Sequence, residues 1–186
     1  MNLILLITYI IFFSTEIILN ALLRSKEGDK KNADKKSLTL LWLTIMVAAT
    51  AAGFISGTIP MTVSSNSEFK YAGVVIIYIG IIFRLSVIYS MGHFFTVDVT
   101  IRQNHKVKTN GAFKYIRHPS YAASLLSFIG LGFTFNNWLS LFVIIIPVFI
   151  AFLIRINIEE KVLIQHFGSE YSEYKKRTKK LIPFIY

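Results

Sequence analysis

The sequence predicts an all-α integral membrane protein with five transmembrane helices, the last two paired as a C-terminal helical hairpin, plus a cytoplasmic connecting segment and an amphipathic C-terminal helix. Three observations predict it. Of 186 residues, 54% are hydrophobic and 16% charged, with a mean hydropathy of +0.56, a balance foreign to soluble globules. The apolar residues are gathered into runs long enough to cross a bilayer. Almost all of the 20 Lys and Arg lie between those runs. Cysteine is absent, which excludes a disulfide framework, a thiolate nucleophile and any Cys-ligated metal.

Leu3 to Leu23 reads as the first span, long enough at ~1.5 Å per residue to cross a ~30 Å hydrocarbon core. It follows Met1-Asn2 with no basic lead and no small-residue cleavage site, so it reads as a retained span and not a signal peptide. A polar loop, Arg24 to Lys36, leads to a second span, Leu38 to Ile59, closed by Pro60. Met61 to Lys70 is turn-rich, and Tyr71 to Met91 is the third span. Gly92 to Pro119 is too charged to cross a bilayer. Tyr121 to Phe135 and Trp138 to Ile154 are two shorter apolar helices joined at Asn136-Asn137, and the tail from Arg155 begins as a helix and becomes amphipathic. Residues 1–91 are therefore expected to form three membrane helices, and residues 92–186 a core that carries the chemistry. No internal repeat is visible.

Six Lys/Arg fall in Arg24 to Lys36, five in residues 92–119 and seven from Arg155 onward. Five spans place those three segments on one side. By the positive-inside rule that side is cytoplasmic, with the N-terminus outside and the C-terminus inside. The Ile-, Lys- and Asn-rich composition has a prokaryotic cast, which would make the membrane the plasma (inner) membrane. Nucleic-acid binding is a poor reading, because the basic runs flank membrane helices and lack interleaved aromatic platforms. Anionic lipid headgroups are the better partners for Lys175-Lys176-Arg177 and Lys179-Lys180. Nothing in the sequence speaks to oligomeric state.

Charges inside spans are costly and are either paired or functional. Glu16 lies 13 residues after Leu3 and Arg84 13 after Tyr71, so both sit at similar depth and are expected to form an ion pair between spans one and three. Contact with a substrate, or snorkelling of one or both to the interface, are the alternatives. Two further stretches concentrate polar chemistry at the ends of the hairpin. HKVKTNGAFKYIRHPSY (His105 to Tyr121) brings Arg, His and Tyr to the entry of a membrane helix, with Pro119 near its first turn. In RINIEEKVLIQHFG (Arg155 to Gly168), Arg155 and Glu159 stand four apart and share a helix face, continued by Val162 and His166. The four histidines show no metal-ligand spacing, and no metal is expected; His93 and His166 read as structural, Tyr171 and Tyr174 as interfacial packing.

Taken together, RHPSY, the Glu159-Glu160 pair, His166-Phe167-Gly168, the EYSEYKKR run and a terminal IPFI occur in an order and spacing that resembles the isoprenylcysteine carboxyl methyltransferase family, integral membrane enzymes that use S-adenosyl-L-methionine. The resemblance runs from about His93 to Tyr186. It implies that His105, Val107 and Lys108 line the cofactor, that Phe113 stands where the family has a tyrosine, and that His118, Pro119, Ser120 and Tyr121 cradle the cofactor. Glu159 matches the family's cofactor-binding glutamate, and Arg155 its catalytic arginine, which engages the substrate carboxylate. Lys108 occupies a position that is usually apolar in the family.

The implied substrate is a lipophilic, isoprenylcysteine-like carboxylate drawn from the membrane. A carboxylate with pKa near ~4 is already ionised at pH 7, so no general base is required. A planar, permanently charged Arg155 can orient it bidentately. Alignment then supplies the largest share of the rate, up to ~7–11 kcal/mol in well-ordered cases. A phospholipid or amine N-methyltransferase of the same architecture is the alternative. It needs a base to deprotonate the ammonium, for which Glu160 is the obvious candidate, and it sets that cation against Arg155. A third reading is a non-catalytic membrane scaffold.

Overall fold

The computed structural model describes residues 2–24, 30–31, 35–66, 68–101 and 106–183. Among the described residues six α-helices carry the fold: α1 (Leu3–Leu22), α2 (Lys35–Thr58), α3 (Phe69–Met91), α4 (Pro119–Thr134), α5 (Trp138–Phe167) and α6 (Ser169–Arg177). A two-residue antiparallel ladder pairs β1 (Lys30–Lys31) with β2 (Thr100–Ile101). Of these helices α1, α2, α3 and α5 are each long and apolar enough to cross a membrane, and the chain is an integral membrane protein. The fifth expected span, α4, has 16 residues and rises only about 24 Å, short of a ~30 Å core.

The helix ends sort onto two faces. On one, Asn2 donates from its amide to the Tyr71 hydroxyl at 2.6 Å, joining the start of α1 to the start of α3. The α4–α5 turn is pinned to the same face: Asn136 Nδ2 donates to the Ser64 carbonyl at 2.9 Å, and Asn137 Nδ2 to the Ile59 carbonyl at 2.7 Å. Asn136 takes the left-handed conformation (φ 49°) that Asn tolerates, and Asn137 caps α5 by accepting from the Ser140 amide. On the opposite face, Val97 N–H donates to the Leu23 carbonyl at 2.9 Å, and the 92–118 segment meets the C-terminal tail. Among the described residues, the end of α1, the segment before α4 and the C-terminal tail thus share a face.

Helix packing follows from small residues, because lipid tails offer no hydrophobic drive for helices to associate. α3 lies against α4, α2 against α5, and α4 and α5 form the hairpin. Gly73 and Gly80 of α3 face Gly130 and Ser127 of α4. A Cβ at Gly130 would stand 2.7 Å from the Gly73 carbonyl oxygen and 2.7 Å from the Ile77 nitrogen, so the backbones touch where side chains are missing. Around that seam Phe12, Ile45, Ile77, Phe128, Val148 and Phe152 form one core, with Phe12 edge-on to Phe128 at 5.2 Å between ring centroids. Gly130→Val should therefore destabilise the bundle by about 1–3 kcal/mol in detergent unfolding. Gly57→Ala, on an open face of α2, should be neutral or stabilising by up to ~1 kcal/mol; equal effects of the two would refute the close-contact seam.

Candidate functional site

Length places the polar end of α5. Thirty residues rise about 45 Å, so roughly the last ten extend past the hydrocarbon core. Arg155 lies just before that overhang, and Glu159 and Glu160 lie within it. Gly168 (φ 57°) turns the chain left-handed into α6, a conformation that favours glycine, and its N–H closes α5 on the Ile164 carbonyl at 2.9 Å.

Facing this end, the segment before α4 is locked by the C-terminal tail. Ile116 and Lys179 form a parallel bridge, Arg117 N–H donates to the Lys179 carbonyl at 2.8 Å, and His118 N–H donates to the Lys180 carbonyl at 3.1 Å. Pro119 then opens α4 at a position where no N–H is required. Glu160, 4% exposed, ties these parts together. Its Oε1 accepts from Arg117 Nε at 2.8 Å and meets His118 Nε2 at 3.2 Å, while its Oε2 pairs with Lys175 Nζ of α6 at 2.8 Å. Arg117 also donates to the carbonyls of Lys175 and Thr178.

One turn away, Arg155 and Glu159 meet α4 through Tyr121. Arg155 Nε donates to the Tyr121 oxygen at 3.0 Å, and the Tyr121 hydroxyl donates to Glu159 Oε2 at 3.0 Å. His118 Nδ1 stands 4.0 Å from the same Glu159 oxygen. The Arg155 guanidinium, 2% exposed, also donates to Ser37 Oγ at 3.0 Å and to the Val97 carbonyl. Three distant parts of the chain therefore set its orientation.

Arg155, Tyr121, Glu159 and His118 open into one chamber. It brings together Val107, Lys108, Phe113, His118, Pro119, Ser120, Tyr121, Arg155 and Glu159, every predicted site residue except His105, which lies outside the described residues. Lys108 Nζ is anchored on the Ser90 carbonyl, so its charge is drawn to the end of α3. Phe113 is buried and its carbonyl accepts from the Tyr174 hydroxyl at 2.7 Å. Tyr171 and Tyr174, expected as interfacial packing, are buried and line the chamber; burial pushes the Tyr174 hydroxyl up to about 12 and Tyr171 higher, so both stay protonated hydrogen-bond donors. Val162 joins the lining, whereas His166 is exposed and turns its ring against Phe167. Among the described residues no group of three His, Cys, Asp or Glu gathers as a metal site would need.

Several lining residues carry no motif. Glu16 and Arg84 do form the expected ion pair, at 3.2 Å, and both face the chamber together with Asn20 and Trp42. The signal for them was charge at matching depth in two spans. Val97 and Ser37, which hold Arg155, left no signal at all, since one acts through its carbonyl and the other through a common hydroxyl. Glu160 is absent from the lining.

A sequence model of the phospholipid methyltransferase family matches residues 69–170, more than half of the chain. The chain belongs to the phospholipid methyltransferase family. Among similar proteins, protein-S-isoprenylcysteine O-methyltransferase B of Arabidopsis thaliana is 35% identical over 115 residues, covering 61% of this chain and 58% of the relative. The protein-S-isoprenylcysteine O-methyltransferase of Saccharomyces cerevisiae is 34% identical over 61% of this chain and 48% of the relative. The chain thus spans about half to three-fifths of the length of these relatives. A solved structure of the eukaryotic intramembrane Ras methyltransferase, isoprenylcysteine carboxyl methyltransferase, superposes with a TM-score of 0.63 at 23% identity, covering 97% of this chain and 63% of that one. At that identity the likeness is one of fold. The resemblance carried by RHPSY, the Glu-Glu pair and the tail is borne out by these relatives.

Glu160→Ala would strand Arg117 and Lys175 without their shared counter-charge and take away the partner of His118 Nε2. It should cost about 3–5 kcal/mol, seen as a lowered unfolding transition in detergent; a transition unchanged from wild type would show that the buried network does not hold the fold.

Proposed function

We propose that this protein is an S-adenosyl-L-methionine-dependent carboxyl O-methyltransferase acting at the membrane interface on a lipophilic, isoprenylcysteine-like carboxylate. The observation that carries the reading is the Arg155–Tyr121–Glu159 chain: a cation and an anion, four residues apart on α5, bridged by one hydroxyl of α4 inside a shared chamber. The named relatives support the same activity.

The donor set suits the cofactor. Glu159, with its side chain 30% exposed, offers an acceptor to a cationic ligand, and Phe113 and Tyr121 offer aromatic walls to a flat base. Val107, Lys108, His118, Pro119 and Ser120, with His105, complete the group of residues that would hold it. S-adenosylmethionine, when bound, supplies a methyl group already activated on a sulfonium. Arg155 orients the acceptor carboxylate, and its fixed bonds to Ser37, Val97 and Tyr121 mean that little reorganisation is left to the reacting complex. The apolar walls exclude water and leave room for a greasy tail.

In this reading α4 is the fifth crossing, supported by its reach from the face of the Asn136 turn to the chamber. The N-terminus lies outside and the C-terminus in the cytoplasm, in the plasma membrane if the source is prokaryotic. Residues 1–91 serve as the membrane frame, and residues 92–186 carry the transfer machinery. The family description favours a second reading, a phospholipid or amine N-methyltransferase. Against it, Glu160, the base that reaction needs, is engaged by Arg117, His118 and Lys175 and does not face the chamber.

Arg155→Ala should reduce methyl transfer by on the order of 100-fold while calorimetric affinity for S-adenosylmethionine persists; undiminished turnover would sink the carboxylate reading. Glu159→Ala should instead weaken cofactor affinity by about 10- to 100-fold, the worth of a hydrogen bond to a charged group, and unaltered affinity would remove Glu159 from the cofactor site. Incubation with methyl-labelled S-adenosylmethionine and a membrane extract should yield a base-labile ester, whereas a base-stable methylamine would select the second reading.

A further inference from the structure

A row of large apolar side chains runs along α5, outside the lining of the chamber. Trp138, Phe142, Ile146, Ile150 and Ile154 recur every four residues, and each is between 42% and 51% exposed. Residues four apart share a helix face, so the five form one stripe, and on a membrane helix such a stripe lies against acyl chains. Trp138 marks one edge of the bilayer as interfacial aromatics do, stacked on Phe142 at 6.3 Å between ring centroids. Asn157 follows nineteen residues later, about 28 Å of rise, at the other edge of a ~30 Å hydrocarbon core.

At that edge the stripe becomes cationic. Asn157 and Lys161 are exposed and stand one turn apart on one face of α5. Lys161 comes seven residues, two helical turns, after Ile154, so it continues the stripe about 6 Å beyond Asn157, at headgroup depth. The tail brings a second cation to the same place: Lys180 Nζ donates to Asn157 Oδ1 at 2.9 Å. The acids of this turn point elsewhere, Glu159 to Tyr121 and Glu160 to Arg117, His118 and Lys175. The basic run of the tail is therefore divided. Lys175 serves Glu160 and Lys176 pairs with Glu173 at 2.6 Å, while Lys180 is delivered to α5.

We propose that Lys161, Lys180 and Asn157 form a binding site for one anionic glycerophospholipid, its phosphate held between the two ammonium groups and an acyl chain laid along Ile154, Ile150 and Ile146. Charge selects the headgroup, and the stripe selects an anion that carries acyl chains over a free one. The site lies on the outer side of α5 and takes no part in the transfer chemistry. It still touches the frame of the chamber, because the Lys180 carbonyl accepts from His118 N–H at 3.1 Å. A lipid that bridges Lys161 and Lys180 thus ties the end of α5 to the strand that fixes His118.

Full-length protein in detergent is titrated with dioleoylphosphatidylglycerol, dioleoylphosphatidylcholine or inorganic phosphate, and bound lipid is counted by native mass spectrometry. The first phosphatidylglycerol should bind on the order of 20-fold more tightly than phosphatidylcholine, and inorganic phosphate should not displace it. Lys161→Gln and Lys180→Gln should each lower that preference about fivefold, the share of one cation at an anionic headgroup. Lys176→Gln, whose charge is engaged by Glu173, should leave it unchanged. Phosphatidylglycerol should also raise the thermal unfolding transition, and raise it less in the Lys161 and Lys180 variants. Equal binding of the two lipids would overturn the site, and so would a loss in Lys176→Gln as large as in Lys161→Gln, which would mean diffuse attraction. Displacement by inorganic phosphate would reassign the cations to a soluble anion. A dimer that takes up neither lipid would give the stripe to a second copy and likewise overturn the proposal.

Discussion

The structure depends on one buried carboxylate. Glu160 is the point where the segment before α4, the end of α5 and the start of the tail are held together, through Arg117, His118 and Lys175. Charges removed from water are repaid only when their partners are complete and well placed, so a network of this kind tolerates one docking and penalises near misses. Its effect reaches the chamber by two routes. Engaging His118 through Nε2 leaves Nδ1 facing Glu159. Fixing Glu160 also fixes the rotation of α5, and since successive helical residues point about 100° apart, Glu159 is turned toward Tyr121 while Glu160 is turned away.

The membrane imposes the other constraint. Helices that gain nothing by excluding lipid must meet through close contact, and α3 meets α4 through glycine and serine. The same approach brings Arg84 within reach of Ser120 and Ser124, so the seam that holds the bundle also delivers a charge to the chamber wall. Charges at this depth persist only when paired, and Glu16 meets that need. The α5 helix, longer than the bilayer is thick, carries Glu159 out to where water and polar ligands can reach it.

Much of this was legible in the chain. Apolar runs are set by bilayer thickness, so α1, α2, α3 and the start of α5 fall within a few residues of their expected bounds. The Asn136-Asn137 turn was readable because those residues favour a left-handed turn and a helix cap. The bounds of α4 fall within two residues of those expected as well, but its 16 residues are too few to match the length of the other spans. Tyr171 and Tyr174 misled for a general reason: on an amphipathic helix an interfacial tyrosine and a buried one have the same spacing, and only the docking of α6 tells them apart.

By itself the sequence determined which residues belong to the membrane, which face gathers the basic segments, and which motifs carry the polar chemistry, because hydropathy, charge and spacing are local properties. Tertiary structure alone decided that Arg155 is held by Ser37 and Val97, that Glu160 is withdrawn from the chamber while its neighbour faces it, and that Asn20 and Arg84 share the chamber wall. Those are pairings across as many as 118 residues of chain, made through carbonyls and common hydroxyls that leave no mark in composition or period. They come into being only when the helices pack.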